Sequence, residues 1–148
     1  MDESSFSVET PEGSSGFLLW QVTVVWQREI KKGLEGVGLS HSAFVILASL
    51  LWFAEHDGEV TQTTIINHTK LDKMTVSKSL KTLCTDGFVL RSENEFDTRA
   101  KSIELTDVGR ETAIKAVKIV ENVDKEFFSR LTKEERSEER RVGKECLR

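Results

Sequence analysis

The 148-residue sequence has no tyrosine, a single proline, two cysteines and no long hydrophobic run. Cys84 and Cys146 are too few and too far apart for a disulfide framework or a cysteine-rich zinc knuckle, which points to a reducing, cytoplasmic setting. With only Pro11 and no self-similar period, the chain is neither a proline-rich low-complexity segment nor a solenoid. Its most apolar stretch, AFVILASLLWFA from Ala43 to Ala54, falls well short of the roughly 20 residues that span a bilayer. That stretch is expected to be a buried core helix, and no membrane partner is expected. Residues 1–15 are acidic and serine-rich without a basic flank or an apolar run, so they are read as a disordered lead-in and not a secretory signal. Positive charge is also scarce: 21 Lys and Arg against 25 Asp and Glu give a net charge of -4, so any site for a polyanion must be local.

What is present is helical periodicity. From Phe17 to Lys32, Leu18, Leu19, Val22, Val25, Trp26 and Ile30 recur at three- and four-residue steps, which predicts a long amphipathic helix. Gly33, Gly36 and Gly38 then predict a stop and a corner, and Ser40 an N-cap for a helix from His41 to about His56. Thr61 can cap a short helix from Gln62 to about Thr69, with Ile65 and Ile66 turned inward. Asp72 is a good N-cap for a helix through Asp86, in which Val76, Leu80 and Leu83 form the buried stripe. The rest of that helix offers Lys73, Thr75, Ser77, Lys78, Lys81 and Thr82, with no acid between Asp72 and Asp86, a face suited to a polyanion. Gly87 supplies a left-handed C-terminal cap, and FVLR and SIEL on either side of a charged turn predict a two-stranded hairpin. Thr106 caps a final long helix, in which Ala113, Val117, Val120 and Phe127 keep helical spacing while Ile114, Ala116, Val123 and Phe128 widen the apolar stripe.

Catalytic chemistry finds no support. The three glycines after the first helix follow no strand and precede no Gly-Lys-Ser/Thr, so they do not form a phosphate loop. His41, His56 and His68 lack the spacing of a zinc site, and no paired carboxylates or nucleophile-base arrangement is present. Cys84 sits beside a buried leucine without a cation or histidine in sequence to activate it. The expectation is a protein that is not an enzyme and has neither metal nor cofactor.

The element order, helix, helix, short helix, capped helix, hairpin and long helix, is that of a winged helix-turn-helix flanked by dimerising helices. The segments TQTTIINHTKLDKMTVSKSLKTL, DGFVLR and DTRAKSIELTDVGR resemble the MarR family of bacterial transcriptional regulators over about residues 16–131. The most specific piece is Asp97-x-Arg99 followed by Leu105-Thr106 and Gly109-Arg110. The resemblance implies a mostly α fold with a small β-hairpin wing and long dimerisation helices. It also implies a homodimer that binds a pseudo-palindromic double-stranded DNA operator, as a ligand-responsive repressor.

On the same footing, the helix from Asp72 to Asp86 enters the major groove, the wing at Arg99 reaches the minor groove, and Asp97 braces the wing. Between Thr61 and Lys101 stand seven cations and five acids, a local excess of two in an acidic chain. The candidate DNA-binding residues are therefore Lys73, Thr75, Ser77, Lys78, Lys81, Arg99 and Lys101. The wing departs from the family pattern in having Glu93-Asn94-Glu95-Phe96 where a proline is common, which favours an alternative function as a winged-helix protein-interaction module without DNA binding. The resemblance further implies a small aromatic effector bound where the first, second and last long helices meet, and Trp20, Trp26 and Trp52 are candidates to line its pocket. Residues 132–148 form an atypical tail, in which RSEERRVGKEC from Arg136 to Cys146 resembles a translated sequencing-adapter oligonucleotide. Residues 136–148 are accordingly expected to be read-through, with a charged natural tail as the other reading, and their five cations carry no weight in the DNA argument.

Overall fold

The computed structural model describes residues 3–56, 58–93 and 101–130. Five α-helices and one hairpin follow in order: α1 (Ser15–Leu34), α2 (His41–Glu55), α3 (Gln62–Thr69), α4 (Lys73–Thr85), β1 (Val89–Glu93), β2 (Lys101–Leu105) and α5 (Asp107–Ser129). The predicted caps form the helix starts. Ser40 Oγ accepts from the Ala43 amide at 3.1 Å, Thr61 and Thr64 exchange bonds in a capping box, and Thr106 Oγ1 accepts from the Gly109 amide at 2.9 Å. Residues 3–14 are mostly exposed yet carry a 3-10 turn, Pro11–Gly13, which leads into the Ser14 cap of α1.

Helix α2 is the core of the protein. Phe44, Ile46, Leu47, Leu50 and Leu51 are buried, and α2 packs on α1, α3, α4, α5 and β2. Its one buried polar side chain, Ser49, donates its hydroxyl to Val45 O at 2.7 Å, so no hydrogen-bonding group is stranded there. Ile30 and Leu34 of α1, Ile65 of α3 and Ala113, Ala116 and Val120 of α5 close around it. The small residues of α5 let its backbone approach α2, which is why the apolar stripe of α5 mixes alanines with valines.

Gly33 has a different role from the expected stop. Helix α1 runs through it to Leu34 and continues as a 3-10 turn over Glu35–Val37, and only Gly38, at φ 67°, turns the corner. A Cβ at Gly33 would stand 3.0 Å from Val123 Cγ2 and 3.2 Å from Ile119 Cγ2, so this glycine is where α1 and α5 cross. Two helical turns earlier in α1 the Trp26 indole N–H donates to Asp124 Oδ1 of α5 at 2.7 Å, and the His41 ring of α2 meets Trp26 edge-on at 5.2 Å. Burial holds His41 below the ordinary imidazole value, against a smaller upward pull from Asp124.

The hairpin pairs Val89 with Leu105 through Glu93 with Lys101, antiparallel. An isolated bridge beside β2, not expected from sequence, adds to this two-stranded sheet. The Ile103 amide donates to Val60 O at 2.8 Å and Thr61 bridges to Ser102, so the residues before α3 sew the wing to the helix-turn-helix. Val89 and Ile103 turn into the core, while Leu90 is exposed.

Among the described glycines, the closest backbone approach is at the joint between α4, the wing and α5. Gly87, at φ 79°, ends α4 in a Schellman motif: the Phe88 amide donates to Leu83 O at 2.9 Å and the Gly87 amide to Cys84 O at 3.1 Å. Thr106 then ties the start of α5 to this turn, donating its hydroxyl to Gly87 O at 2.6 Å and its amide to Phe88 O at 3.0 Å. Gly109 lies directly against Phe88, where a Cβ would overlap the carbonyl oxygen and stand 2.8 Å from the carbonyl carbon. Backbone cannot swing aside as a side chain can.

Two expectations follow. Gly109→Ala should destabilise the fold by about 2 kcal/mol or more, whereas Gly36→Ala, with nothing within 4 Å of its Cβ position, should not; urea denaturation of both variants compares them directly. For His41, the unfolded chain takes up a proton near pH 6.5 while the folded chain resists until lower pH. Its contribution is therefore complete above that value and declines as pH falls through the folded value. Thermal melts between pH 7.5 and pH 5.5 should show a decline that is shallower in His41→Phe.

Candidate nucleic-acid interface

The helix-turn-helix is built from α3, a three-residue turn (Lys70, Leu71 and Asp72) and α4. In the turn, Thr69 donates its hydroxyl to Ile65 O at 2.8 Å and accepts from the Leu71 amide at 3.2 Å. Lys70 adopts φ 64°, a left-handed conformation that a side-chain-bearing residue takes at a cost of about 1 kcal/mol. Asp72 starts α4 by accepting from the Thr75 amide at 2.7 Å and from the Thr75 hydroxyl at 2.7 Å. These two bonds, the backbone one first, hold the Asp72 carboxyl below its ordinary value, so the charged cap persists to lower pH than a free carboxylate would.

Helix α4 divides into two faces. Val76, Leu80 and Leu83 are buried to within 1 % and seat the helix on the core. On the opposite side Met74, Lys78, Lys81, Thr82 and Thr85 are exposed, and Lys73, in phase with the stripe, is exposed as the first residue of the helix. Thr75 and Ser77 stand between the two faces, half-buried, and their hydroxyls are engaged within the protein. Thr75 donates to Asp72, and Ser77 Oγ accepts from Gln62 Nε2 at 2.6 Å, a brace between α3 and α4. Each retains one hydrogen-bonding direction, Thr75 as acceptor and Ser77 as donor. Sequence reasoning missed Met74, which is 84 % exposed in the first turn of α4. The available signal was its helical phase, opposite the buried stripe and one turn before Lys78.

The remaining candidates divide by location. Lys101 opens β2, while Asp97 and Arg99 lie outside the described residues, as do residues 131–148 and the expectations attached to them. The three tryptophans do not share one environment. Trp26 packs against the core beside His41 and Asp124, whereas Trp20 is 66 % exposed on α1 and Trp52 lies on the surface, stacked on His56 at 3.9 Å. The resemblance implies all three at one junction; in the structure Trp20 is exposed in the N-terminal half of α1 and Trp52 is exposed on the face of α2 opposite Leu50. Among the described residues no group of three His, Cys, Asp or Glu is placed to hold a metal ion. Among them also, no single helix is long and apolar enough to cross a membrane.

A family model described as ArnR1-like, winged-helix domain, matches residues 35–124. A relative from Bacillus subtilis (strain 168), described as the uncharacterized HTH-type transcriptional regulator YdcH, is 39% identical over 125 residues, covering 84% of this chain and 85% of that protein. The chain belongs to the ArnR1-like winged-helix family, among HTH-type transcriptional regulators. It is accordingly not an enzyme. A second B. subtilis protein, the HTH-type transcriptional repressor YetL, is 37% identical to this chain over 75 residues, 51% of this chain and 44% of that protein. Two solved structures share the regulator's fold. A mutant MarR from E. coli complexed with operator DNA superposes with a TM-score of 0.77 at 21% identity, covering 90% of this chain and 93% of that one. The S. aureus MepR-DNA complex gives 0.79 at 22% identity, covering 90% and 96%.

Proposed function

We propose that this winged-helix regulator is a cytoplasmic, homodimeric repressor of the MarR type that binds a pseudo-palindromic operator and releases it in response to a small aromatic effector. The observation that carries the reading is the outer face of α4. Lys73, Lys78 and Lys81 stand exposed on a helix that has no acid between Asp72 and Asp86, in a chain with a net charge of -4. In this reading the lysines attract phosphate and Lys78, at mid-face, reaches a base edge, with Thr75 and Ser77 supplying their free hydrogen-bonding directions. Asp97, Arg99 and Lys101 serve the wing, Arg99 in the minor groove. The two solved DNA complexes of like fold support it by analogy of fold.

The dimer reading rests on α1. Phe17, Leu18, Leu19, Trp20 and Val25 are each at least 40 % exposed, a run of apolar surface that a lone chain leaves wet and a second copy can cover. A two-fold dimer sets its recognition helices about one DNA turn, roughly 34 Å, apart. For the effector, we propose the junction of α1, α2 and α5 at Trp26, His41 and Asp124, with Trp20 and Trp52 outside it.

The competing reading, a protein-interaction module, rests on the acids Glu93 and Glu95 in the wing sequence. Titrating salt against duplex DNA separates the two. The DNA reading expects log affinity to fall linearly with log salt, and each of Lys73→Ala and Lys81→Ala to reduce that slope by about 0.9. Lys78→Ala should cost about 1 to 3 kcal/mol and shift base preference at one position in a selection from random duplexes. Absence of salt-dependent binding would leave the interaction module.

A further inference from the structure

Met74 is the most exposed of the large hydrophobic side chains among the described residues, at 84 %. Its surroundings set it apart from the other exposed apolar groups. Those of α1 cluster at positions 17–20 and form a contiguous patch of the kind that another protein surface covers. Met74 instead stands alone: Lys73 precedes it, Thr75 follows it, Lys78 lies one turn on and Lys81 two turns on. A lone apolar side chain ringed by lysines and hydroxyls is poorly matched to an apolar protein partner, because docking one would desolvate the lysines around it.

The same combination fits the major groove. Phosphates satisfy the cations, and within the groove one base edge is apolar, the C5-methyl group of thymine. The position along the helix fits as well. In a helix-turn-helix the first residues of the second helix face the base edges, and Met74 is the second residue of α4. That turn is held by the Asp72 cap, and the helix behind it is seated by Val76 and braced by the Gln62–Ser77 bond. A thioether on three rotatable bonds reaches from this fixed base and adapts to the methyl it meets.

We propose that Met74 is a specificity-determining residue that contacts a thymine C5-methyl group, an inference that rests on the DNA reading of α4. Lys78, one turn on, then reads the neighbouring base, so that the pair selects a thymine beside a hydrogen-bonding partner. Affinity and selectivity divide between them, since loss of Met74 removes a methyl contact and no charge.

The test uses the full chain and a duplex that it selects from a random pool. Each thymine of that duplex is replaced in turn by uracil, which removes only the C5-methyl group, and binding is followed by fluorescence anisotropy at one salt concentration. The wild-type protein should lose about fourfold per half-site at one symmetrical position, the worth of one buried methyl group. Met74→Ala should bind the thymine duplex weaker by the same factor, show no difference between thymine and uracil there, and keep the wild-type salt slope. Met74→Leu should retain discrimination. The inference is overturned if every uracil duplex affects wild type and Met74→Ala equally while both still bind. Failure of the wild-type protein to select or bind any duplex at low salt overturns the DNA reading, and this inference with it.

Discussion

The close approach of Gly109 to the Phe88 carbonyl is the constraint on which the rest of the structure depends. At this point the last carbonyls of α4, the first residue of the wing and the first turn of α5 share one small volume. Gly87 supplies the left-handed turn, Thr106 bonds to Gly87 O and Phe88 O, and the lack of a side chain at Gly109 lets the backbones meet. Three elements thus have a common origin. A shift of α5 relative to α2 moves the C-terminal end of α4 and the base of the hairpin with it.

The other end of α4 is fixed independently. Asp72 caps it, Ser77 is bonded to Gln62 of α3, and Val60 and Thr61 join α3 to β2. Between these anchors, Val76, Leu80 and Leu83 rest on α2, whose many buried residues give it contacts to every other helix. The outer face of α4 is consequently presented on a helix held at both ends and along its back. In the proposed function this matters more than any single charge, because base edges are read only by side chains whose backbone is already in position. The α1–α5 crossing at Gly33, with Trp26 bonded to Asp124 and His41 against Trp26, lies at the opposite end of α5. In the proposed function, an effector that changed this crossing would act on α4 through one continuous helix.

Much of this architecture was legible in the sequence because it is encoded locally. Ser40, Thr61, Asp72 and Thr106 cap helices through bonds to residues three positions on, and Gly87 takes its left-handed turn for reasons confined to a few residues. The buried stripe of α4 follows from its period alone. What escaped is long-range. Gly33 reads as a helix stop until α5 is seen lying across it, and Gln62 and Ser77, 15 residues apart, carry no pattern that pairs them. Val60 and Thr61 make too short a segment to show alternation. Trp26 finds Asp124 across 98 residues, whereas Trp20 and Trp52 have the same residue type and helical setting but remain outside. Met74 was passed over because a methionine in a helix is ordinarily core, and only its phase relative to Val76 shows otherwise.

Native-state hydrogen exchange on the free protein tests the central claim, that α4 is held in place by its joint with the wing and α5 before any partner binds. The account predicts that amides in the second half of α4, around Leu80 and Leu83, exchange with the same opening free energy as those of α5 around Ala113 and Ala116, and that both lie close to the free energy of global unfolding. Opening of α4 at a markedly lower free energy than α5 would contradict it, since the recognition helix would then be ordered by something other than the contacts described.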